Sequence, residues 1–187
     1  MRMAAKILIV IGLCFIGYSG FHLWKSKQMQ KASLQQAEKI VLNDSTSKAY
    51  SFDPQVGDEI GILKLPRLDE SLPIVEGVDE DELAKGVGHY GGTALPSEQG
   101  QIVLSGHRDT VFRRLGELQI GDELQVKMPY GEFSYTIEKT EIVSADDLTV
   151  INTDIKEELL TVTTCYPFRY IGDAPDRYII YAKRKVD

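Results

Sequence analysis

From about residue 55 to residue 183, short β-prone runs alternate with Gly, Pro and Asp, and this spacing constrains the fold more than any other feature of the chain. Turn-forming residues such as Pro66 and Gly121-Asp122 separate the runs. Only two short helices are predicted here, over residues 79–85 and 110–117. The predicted strands are Ile60–Leu65, Leu72–Val75, Gln101–Ser105, Glu123–Met128, Phe133–Val143, Leu159–Thr164 and Tyr178–Lys183. Seven or eight short strands in a domain of about 130 residues predict an all-β closed barrel or a sandwich.

A second feature is the apolar run Ile7–Trp24, which contains no Asp, Glu, Lys or Arg. Its length is near the lower limit for crossing a bilayer, and Trp24 suits the membrane interface. A cleavable signal peptide would need a shorter apolar core and a small-x-small cleavage site, of which Gly17 to Gly20 offers only a weak version. Residues 1–24 are therefore predicted to be an N-terminal tip and an uncleaved transmembrane signal anchor. Basic residues flank both ends of the run, so their count leaves the orientation open.

Residues 25–54 connect this run to the β-rich domain, which spans residues 55–187. Residues 25–48 are rich in Lys, Gln, Ala and Glu, and they predict a juxtamembrane stalk that is either a helix or a disordered tether. Residues 1–31 hold five bases and no acid, so the rest of the chain has 16 bases against 28 acids, a balance of −12. Such an acidic domain matches nucleic-acid phosphates poorly, and we expect no nucleic-acid partner.

The most informative side chain is Cys165, which ends a β-prone run immediately before Tyr166-Pro167. The chain has one other cysteine, Cys14, and it lies inside the apolar run. A thiol without a disulfide partner at a strand end is either a packing residue or a nucleophile. The remaining ionisable residues have to decide between these two roles.

A nucleophilic thiol needs a base or a cationic partner, because the thiolate is the reactive form. Of the three histidines, His22 lies in the apolar run and His89 lies in a glycine-rich turn, where a structural hydrogen-bonding role is more natural. His107 follows the predicted strand Gln101–Ser105 and is therefore the candidate base. A histidine after a strand is by itself more often structural, but its combination with a cysteine at another strand end favours catalysis.

Arg177 is the candidate for stabilising an oxyanion. It opens the last predicted strand, 12 residues after Cys165, and would come near the thiol if the two strands are neighbours. It could equally be a surface residue paired with Asp173 or Asp176, and spacing alone does not separate these alternatives.

Three segments together resemble the sortase family. Residues 161–165, Thr-Val-Thr-Thr-Cys, resemble the Thr-Leu-x-Thr-Cys signature of sortases, with Val162 in the usual leucine position. Residues 106–110, Gly-His-Arg-Asp-Thr, are similar to the histidine motif, and residues 174–178, Ala-Pro-Asp-Arg-Tyr, are similar to the arginine segment. The three occur in the family's order, within a resemblance that runs from about Gly57 to Lys183. Residues 83–90, 93–96 and 165–168 resemble class D sortases in particular.

This resemblance implies an eight-stranded sortase-type β-barrel with short helices, preceded by the transmembrane helix. It also implies a membrane-anchored cysteine transpeptidase that acts on secreted proteins bearing a C-terminal Leu-Pro-x-Thr-type sorting signal. Cys165 would be the nucleophile that forms an acyl thioester, His107 the general acid and base, and Arg177 the residue that stabilises the oxyanion and the substrate. An amine of a peptidoglycan precursor would resolve the thioester. Thr163 and Thr164 are expected either to line the substrate cleft or to serve as strand hydroxyls.

The resemblance also orients the chain, because an enzyme that modifies the cell wall needs an extracytoplasmic catalytic domain and hence a cytoplasmic N-terminus. No cofactor is expected. Some sortases bind calcium, but the acidic run of residues 79–82 is better explained by the dipole of the short helix that it begins.

Two other function classes remain open at this point. One is a thiol hydrolase or L,D-transpeptidase-like enzyme with the same Cys and His, although Thr163-Thr164-Cys165 lacks the glycine that precedes such a nucleophile. The other is a membrane-tethered barrel that only binds wall peptides, although such a protein would be expected to have lost one of the three candidate catalytic residues.

Overall fold

A computed structural model describes residues 2–43, 52–152, 154–170 and 172–185, and eight strands of the described part close into one barrel. The strands are β1 (Glu59–Leu65), β2 (Glu70–Glu76), β3 (Val87–His89), β4 (Gln101–Gly106), β5 (Glu123–Met128), β6 (Gly131–Ser144), β7 (Leu159–Tyr166) and β8 (Asp176–Arg184). Around the barrel they follow the order β1-β2-β3-β4-β7-β8-β6-β5. The predicted all-β barrel is therefore confirmed, and the sandwich is excluded.

The seven predicted strands are all present, whereas β3 was not predicted. β3 has only three residues and lies in the glycine-rich segment that the sequence analysis treated as a turn. It pairs parallel to β2 and antiparallel to β4. Its extended conformation is therefore stabilised by hydrogen bonds to these two neighbours rather than by the β propensity of its own residues.

Of the two predicted helices, one is confirmed and one is wrong. The helix α2 covers Glu80–Lys85, with three acidic residues in its first turn as its dipole favours. Residues 110–117, in contrast, form turns followed by a 3₁₀ helix at Leu115–Glu117. Val111 and Phe112 have only moderate helix propensity, and both side chains are buried in the core, which turns can satisfy as well as a helix.

The core fills the barrel with alternate residues of each strand, as the two-residue period of a β-strand requires. On β7, Leu160, Val162 and Thr164 are buried inside the barrel, and on β4 Ile102 and Leu104 do the same. The odd-numbered residues of these two strands consequently face outward.

The helix α1 runs without interruption from Arg2 to Asn43, across the predicted boundary between anchor and stalk. Every residue from 6 to 25 is exposed, and this part of α1 is long and apolar enough to cross a membrane. The second part packs against β1, β2 and α2, with Ser33 and Ala37 buried. The stalk is thus helical over residues 25–43, and its residues 44–51 lie outside the described part of the chain.

Candidate active site

Pairing of β4 with β7 brings His107 and Cys165 to the same level of the barrel. The two strands are parallel, and their last paired residues are Gly106 and Thr164. The next residue on β7 is Cys165, and the next residue after β4 is His107. The Thr164 hydroxyl donates a hydrogen bond of 2.7 Å to the Gly106 carbonyl oxygen, which fixes the two strand ends to each other.

Pairing of β7 with β8 places Arg177 directly opposite Cys165. The strands are antiparallel, so the Cα atoms of such a pair are about 4.5–5.5 Å apart and both side chains point to the same face of the sheet. Guanidinium, thiol and imidazole are therefore contributed by three adjacent strands to one end of the outer face of the barrel. This group of His107, Cys165 and Arg177 is called the catalytic face below, after the roles that the resemblance to sortases implies for these residues.

Arg177 has no carboxylate partner among the ion pairs of the described residues. Its guanidinium nitrogen Nη1 instead donates to the carbonyl oxygens of Asp176, at 3.0 Å, and Ala174, at 3.4 Å. The alternative of an ion pair with Asp173 or Asp176 is consequently not seen. A guanidinium has five N–H donors, so further donors remain available for a ligand on the catalytic face.

All three residues of the catalytic face are partly buried, so each side chain keeps some exposed surface. Neither cysteine of the described chain forms a disulfide, and Cys14 lies on α1, far along the chain from the barrel. The arrangement joins a nucleophile, a proton donor and acceptor, and a cation that can stabilise developing negative charge. These are the groups that acyl transfer through a thioester requires.

The two threonines before Cys165 have different positions. Thr164 points into the barrel and is 2% exposed. Its hydroxyl donates its hydrogen bond to the Gly106 carbonyl oxygen, so this contact is a structural one. Thr163 is partly buried and points outward, on the same face as Cys165. Of the two threonines, only Thr163 has exposed side-chain surface that a substrate could contact.

One side of the catalytic face is formed by the loop between Cys165 and Arg177, called the β7–β8 loop below. Arg108, next to His107, donates hydrogen bonds to the carbonyl oxygens of Tyr170, at 3.0 Å, and Gly172, at 2.8 Å. Its guanidinium also lies 5.8 Å from the centre of the Tyr170 ring. The sequence analysis gave Arg108 no role. Its hydrogen-bond acceptors are backbone carbonyls 62 and 64 residues further along the chain, and a sequence does not show that such distant groups come into contact.

The segment between β6 and β7, called the β6–β7 segment below, begins beside Arg177, because Ser144 at the end of β6 pairs with Asp176. A buried glutamine holds its middle part against the first residues of β4 and β7, at the other end of these strands from Cys165. Gln101 is 3% exposed, and its amide nitrogen donates to the Val150 carbonyl, at 2.8 Å, and to the Thr161 hydroxyl, at 2.7 Å. Its amide oxygen accepts from the Asn152 backbone nitrogen at 2.7 Å. These bonds attach the β6–β7 segment to the outer face of β4 and β7.

The end of the β6–β7 segment is held by Glu158. Its carboxylate accepts two hydrogen bonds from the Arg184 guanidinium, at 2.8 and 2.9 Å, and one from the Tyr135 hydroxyl at 2.5 Å. The Tyr135 side chain is fully buried, and this burial, together with the adjacent carboxylate, raises the pKa of its hydroxyl. Tyr135 therefore remains a hydrogen-bond donor at any physiological pH.

His89 has the structural role that its glycine-rich surroundings predicted. It is 3% exposed, with Nδ1 2.6 Å from the Glu76 carboxylate and Nε2 3.1 Å from the Ala94 carbonyl. Both ring nitrogens of His89 thus have structural partners, and His107 is the histidine of the barrel that lies level with Cys165.

A cavity of about 470 Å³ extends from His107 towards α1. The barrel side of the cavity includes Leu83 and Ala84 of α2, and its other wall is α1 from His22 to Met29. No group of three or more His, Cys, Asp or Glu side chains within the described part of the chain has the arrangement of a metal site.

Comparison with known proteins agrees with the barrel and its catalytic face. A family model described as a sortase domain matches residues 63–185. The chain belongs to the sortase family, the cysteine transpeptidases that anchor proteins to the cell wall. Among the function classes left open by the sequence, the transpeptidase is therefore the correct one.

The relatives also confirm the resemblance to class D. The chain is 49% identical to Sortase D of Bacillus subtilis (strain 168), over 95% of each chain. Among solved structures, the Sortase D5 transpeptidase of Clostridium perfringens has a TM-score of 0.74 at 28% identity, covering 85% of this chain and 99% of that one. Sortase C1 of Streptococcus agalactiae has a TM-score of 0.65 at 25% identity, covering 85% and 87%.

Proposed function

We propose that this protein cleaves a Leu-Pro-x-Thr-type sorting signal after its threonine and joins the secreted protein to an amine of a peptidoglycan precursor. The observation that carries the proposal is the register of three adjacent strands, which puts Cys165 opposite Arg177 and level with His107. Membership of the sortase family supports the reaction class. The sorting signal and the acceptor are the parts that this proposal adds.

In the first step, Cys165 reacts as the thiolate while His107 carries a proton, and the sulfur attacks the carbonyl carbon of the substrate threonine. Arg177 donates hydrogen bonds to the carbonyl oxygen as it gains negative charge. The C–N bond then breaks, and His107 gives its proton to the leaving amine, which leaves a thioester between Cys165 and the threonine. In the second step, the acceptor amine attacks the thioester, His107 takes the proton of that amine, and the Cys165 thiolate is the leaving group.

The two sides of the catalytic face have separate duties in this proposal. The β6–β7 segment and Thr163 contact the residues that precede the scissile bond, and the β7–β8 loop limits access to the thioester from the other side. No metal or other cofactor takes part in either step. Calcium is not required, because the acidic run of α2 serves the helix dipole.

The test is cleavage of a panel of Leu-Pro-x-Thr-x peptides by the full-length protein in detergent. Cys165→Ala is expected to abolish cleavage, whereas Cys14→Ala, the matched cysteine variant, should retain the full rate. Mass spectrometry of the wild-type protein without an acceptor should detect a thioester on Cys165. Undiminished cleavage by Cys165→Ala would overturn the mechanism.

We further propose that the apolar part of α1 spans the membrane with the N-terminus in the cytoplasm. The barrel then faces the cell wall, where both substrates are found. Protease treatment of intact, wall-stripped cells should degrade the barrel and leave the N-terminal tip protected. Protection of the barrel instead would contradict this orientation.

A further inference from the structure

A cavity of about 390 Å³ borders the catalytic face at the mouth of the barrel. Part of its wall is formed by the rings of Tyr166, Phe168 and Tyr178, and it is called the rim pocket below. Tyr166 directly follows Cys165 on β7, and Tyr178 directly follows Arg177 on β8. The Cα atoms of such neighbours are about 3.8 Å apart. The rim pocket therefore lies next to two of the three catalytic groups.

The rings and the thiol point in different directions. Successive side chains of a strand alternate between its two faces, so Tyr166 and Cys165 point to opposite faces of the sheet. Phe168 and Tyr178 pack against the barrel core, whereas the thiol is on the outer face. A ligand in the rim pocket therefore reaches the thiol only with a group at the end of a flexible arm, which passes over the end of β7.

The aromatic wall of the rim pocket is formed before any ligand binds. The ring centres are 5.7 Å apart for Tyr166 and Phe168, 6.3 Å for Tyr166 and Tyr178, and 5.3 Å for Phe168 and Tyr178. The Phe168 ring also rests on Gly116, where an added Cβ would come within 2.6 Å of the ring. Because these contacts already order the wall, a ligand loses little affinity to the ordering of side chains.

The rim pocket carries positive charge in an otherwise acidic domain. Of its charged residues, Arg114 is neutralised by an ion pair of 2.9 Å with Glu117. Arg113 donates from Nε to the Asp109 carbonyl oxygen at 3.0 Å, and a carbonyl does not compensate its charge. Neither Arg113 nor Arg169, both exposed, has a carboxylate partner among the ion pairs of the described residues. Two uncompensated guanidinium groups at one cavity favour an anionic ligand.

The rim pocket and Thr163 lie on opposite sides of the nucleophile along β7. Thr163 precedes Cys165, and Tyr166 follows it. In the proposed function, Thr163 contacts the substrate residues before the scissile bond. A substrate bound in this way leaves the rim pocket empty while the thioester exists, so a second molecule can occupy it.

We propose that the rim pocket is the acceptor subsite, in which Arg113 and Arg169 select amine acceptors that also carry a free carboxylate. This inference rests on the proposed function. The carboxylate accepts hydrogen bonds from the two guanidinium groups, and the methylene groups of the amine-bearing side chain lie against the aromatic wall. A lysine-like side chain spans about 6 Å from Cα to Nζ, which takes the amine over the end of β7. There the amine nitrogen bonds to the thioester carbonyl carbon, the C–S bond breaks, His107 takes the proton, and Cys165 leaves as the thiolate.

The experiment compares two acceptors that differ in one charge. The full-length protein in detergent receives a Leu-Pro-x-Thr-x peptide as donor and either acetyl-Ala-Lys-Ala with a free C-terminal carboxylate or the same peptide as its C-terminal amide. In both acceptors the lysine side chain is the one available amine. Formation of the joined product gives kcat/KM for each acceptor, and the ratio of the two values reports recognition of the carboxylate.

We expect the wild-type protein to favour the carboxylate acceptor about tenfold, as charge-assisted hydrogen bonds in a partly exposed site provide. Arg113→Gln and Arg169→Gln should each reduce this preference to about threefold, since each removes about half of the interaction. Arg67→Gln is the matched control, because it removes one exposed arginine outside the rim pocket and changes the net charge equally. It should keep the tenfold preference.

The outcomes separate the inference from the proposed function. An equal rate with both acceptors, a preference that neither arginine variant reduces, or joining of neither acceptor although the thioester forms would overturn the inference alone. Absence of a thioester on Cys165 when the wild-type protein receives only the donor peptide would overturn the proposed function, and the inference with it.

Discussion

Replacement of Gln101 by leucine tests whether the β6–β7 segment is held by this one side chain. The leucine side chain is similar in size but cannot form any of the three hydrogen bonds of the buried amide. Each bond contributes about 1 kcal/mol net, so the free energy of unfolding should fall by about 3 kcal/mol. In a domain of this size, that loss lowers Tm by roughly 10 °C.

The assay is thermal unfolding of the full-length protein in detergent, followed by peptide cleavage. Besides the lower Tm, Gln101→Leu should raise KM more than it lowers kcat, because in the proposed function the segment that it releases contacts the substrate residues before the scissile bond. Gln99→Leu, two residues away and exposed, is the matched control and should change neither quantity. Thr161→Val removes one of the three bonds and should cost about a third as much. An equal Tm for the two glutamine variants would refute the reasoning.

The remaining predictions concern the other side of the catalytic face and the response to solvent. Arg108→Ala removes two hydrogen bonds of about 1 kcal/mol each from the β7–β8 loop, so exchange of the loop amides should rise about 30-fold in hydrogen-exchange measurements, whereas Arg113→Ala should leave it unchanged. Gly116→Ala would put a Cβ 2.6 Å from the Phe168 ring; we expect about 1–3 kcal/mol of destabilisation by denaturant titration, and an unchanged midpoint would contradict the packing. Hydrogen bonds lower the pKa of four surface carboxyl groups, those of Glu117, Glu123, Glu141 and Asp147. Their contribution to the stability of the fold is present above the ordinary carboxyl pKa of about 4 and is lost as pH falls below it, and a flat pH–stability curve between about pH 5 and 3 would contradict this. Treatment with EDTA should leave peptide cleavage unchanged, and a loss that calcium restores would show that the acidic run binds the ion.

The sequence was sufficient for the elements whose signal is local. Seven strands could be predicted from β-prone runs between turn residues. Cys165 and His107 each lie at or just after the end of such a run. Their proximity was also predictable in kind, because side chains that follow neighbouring strands come together. The short strand β3 was not predictable, since its three residues carry no pattern and its order comes from β2 and β4.

The contacts that shape the catalytic face were beyond the reach of the sequence. Arg108 binds carbonyl oxygens of Tyr170 and Gly172, and Gln101 binds the backbone at residues 150 and 152. A carbonyl or an amide is present at every position of the chain, so no residue type marks it as a partner. For the same reason, spacing could not place Arg177 next to Cys165, whereas the register of β7 and β8 pairs these two residues.

The closure of the barrel has a consequence for how a peptide can be recognised. β7 is hydrogen-bonded to β4 on one side and to β8 on the other, so the strand that carries Cys165 has no free edge. An extended substrate peptide therefore cannot bind by adding a strand to the edge of a sheet at β7. Its main chain has to be held by loops and its identity sensed by side chains. Selectivity among sorting signals can therefore change through the β6–β7 segment and the β7–β8 loop, while the strands that align the catalytic groups stay as they are.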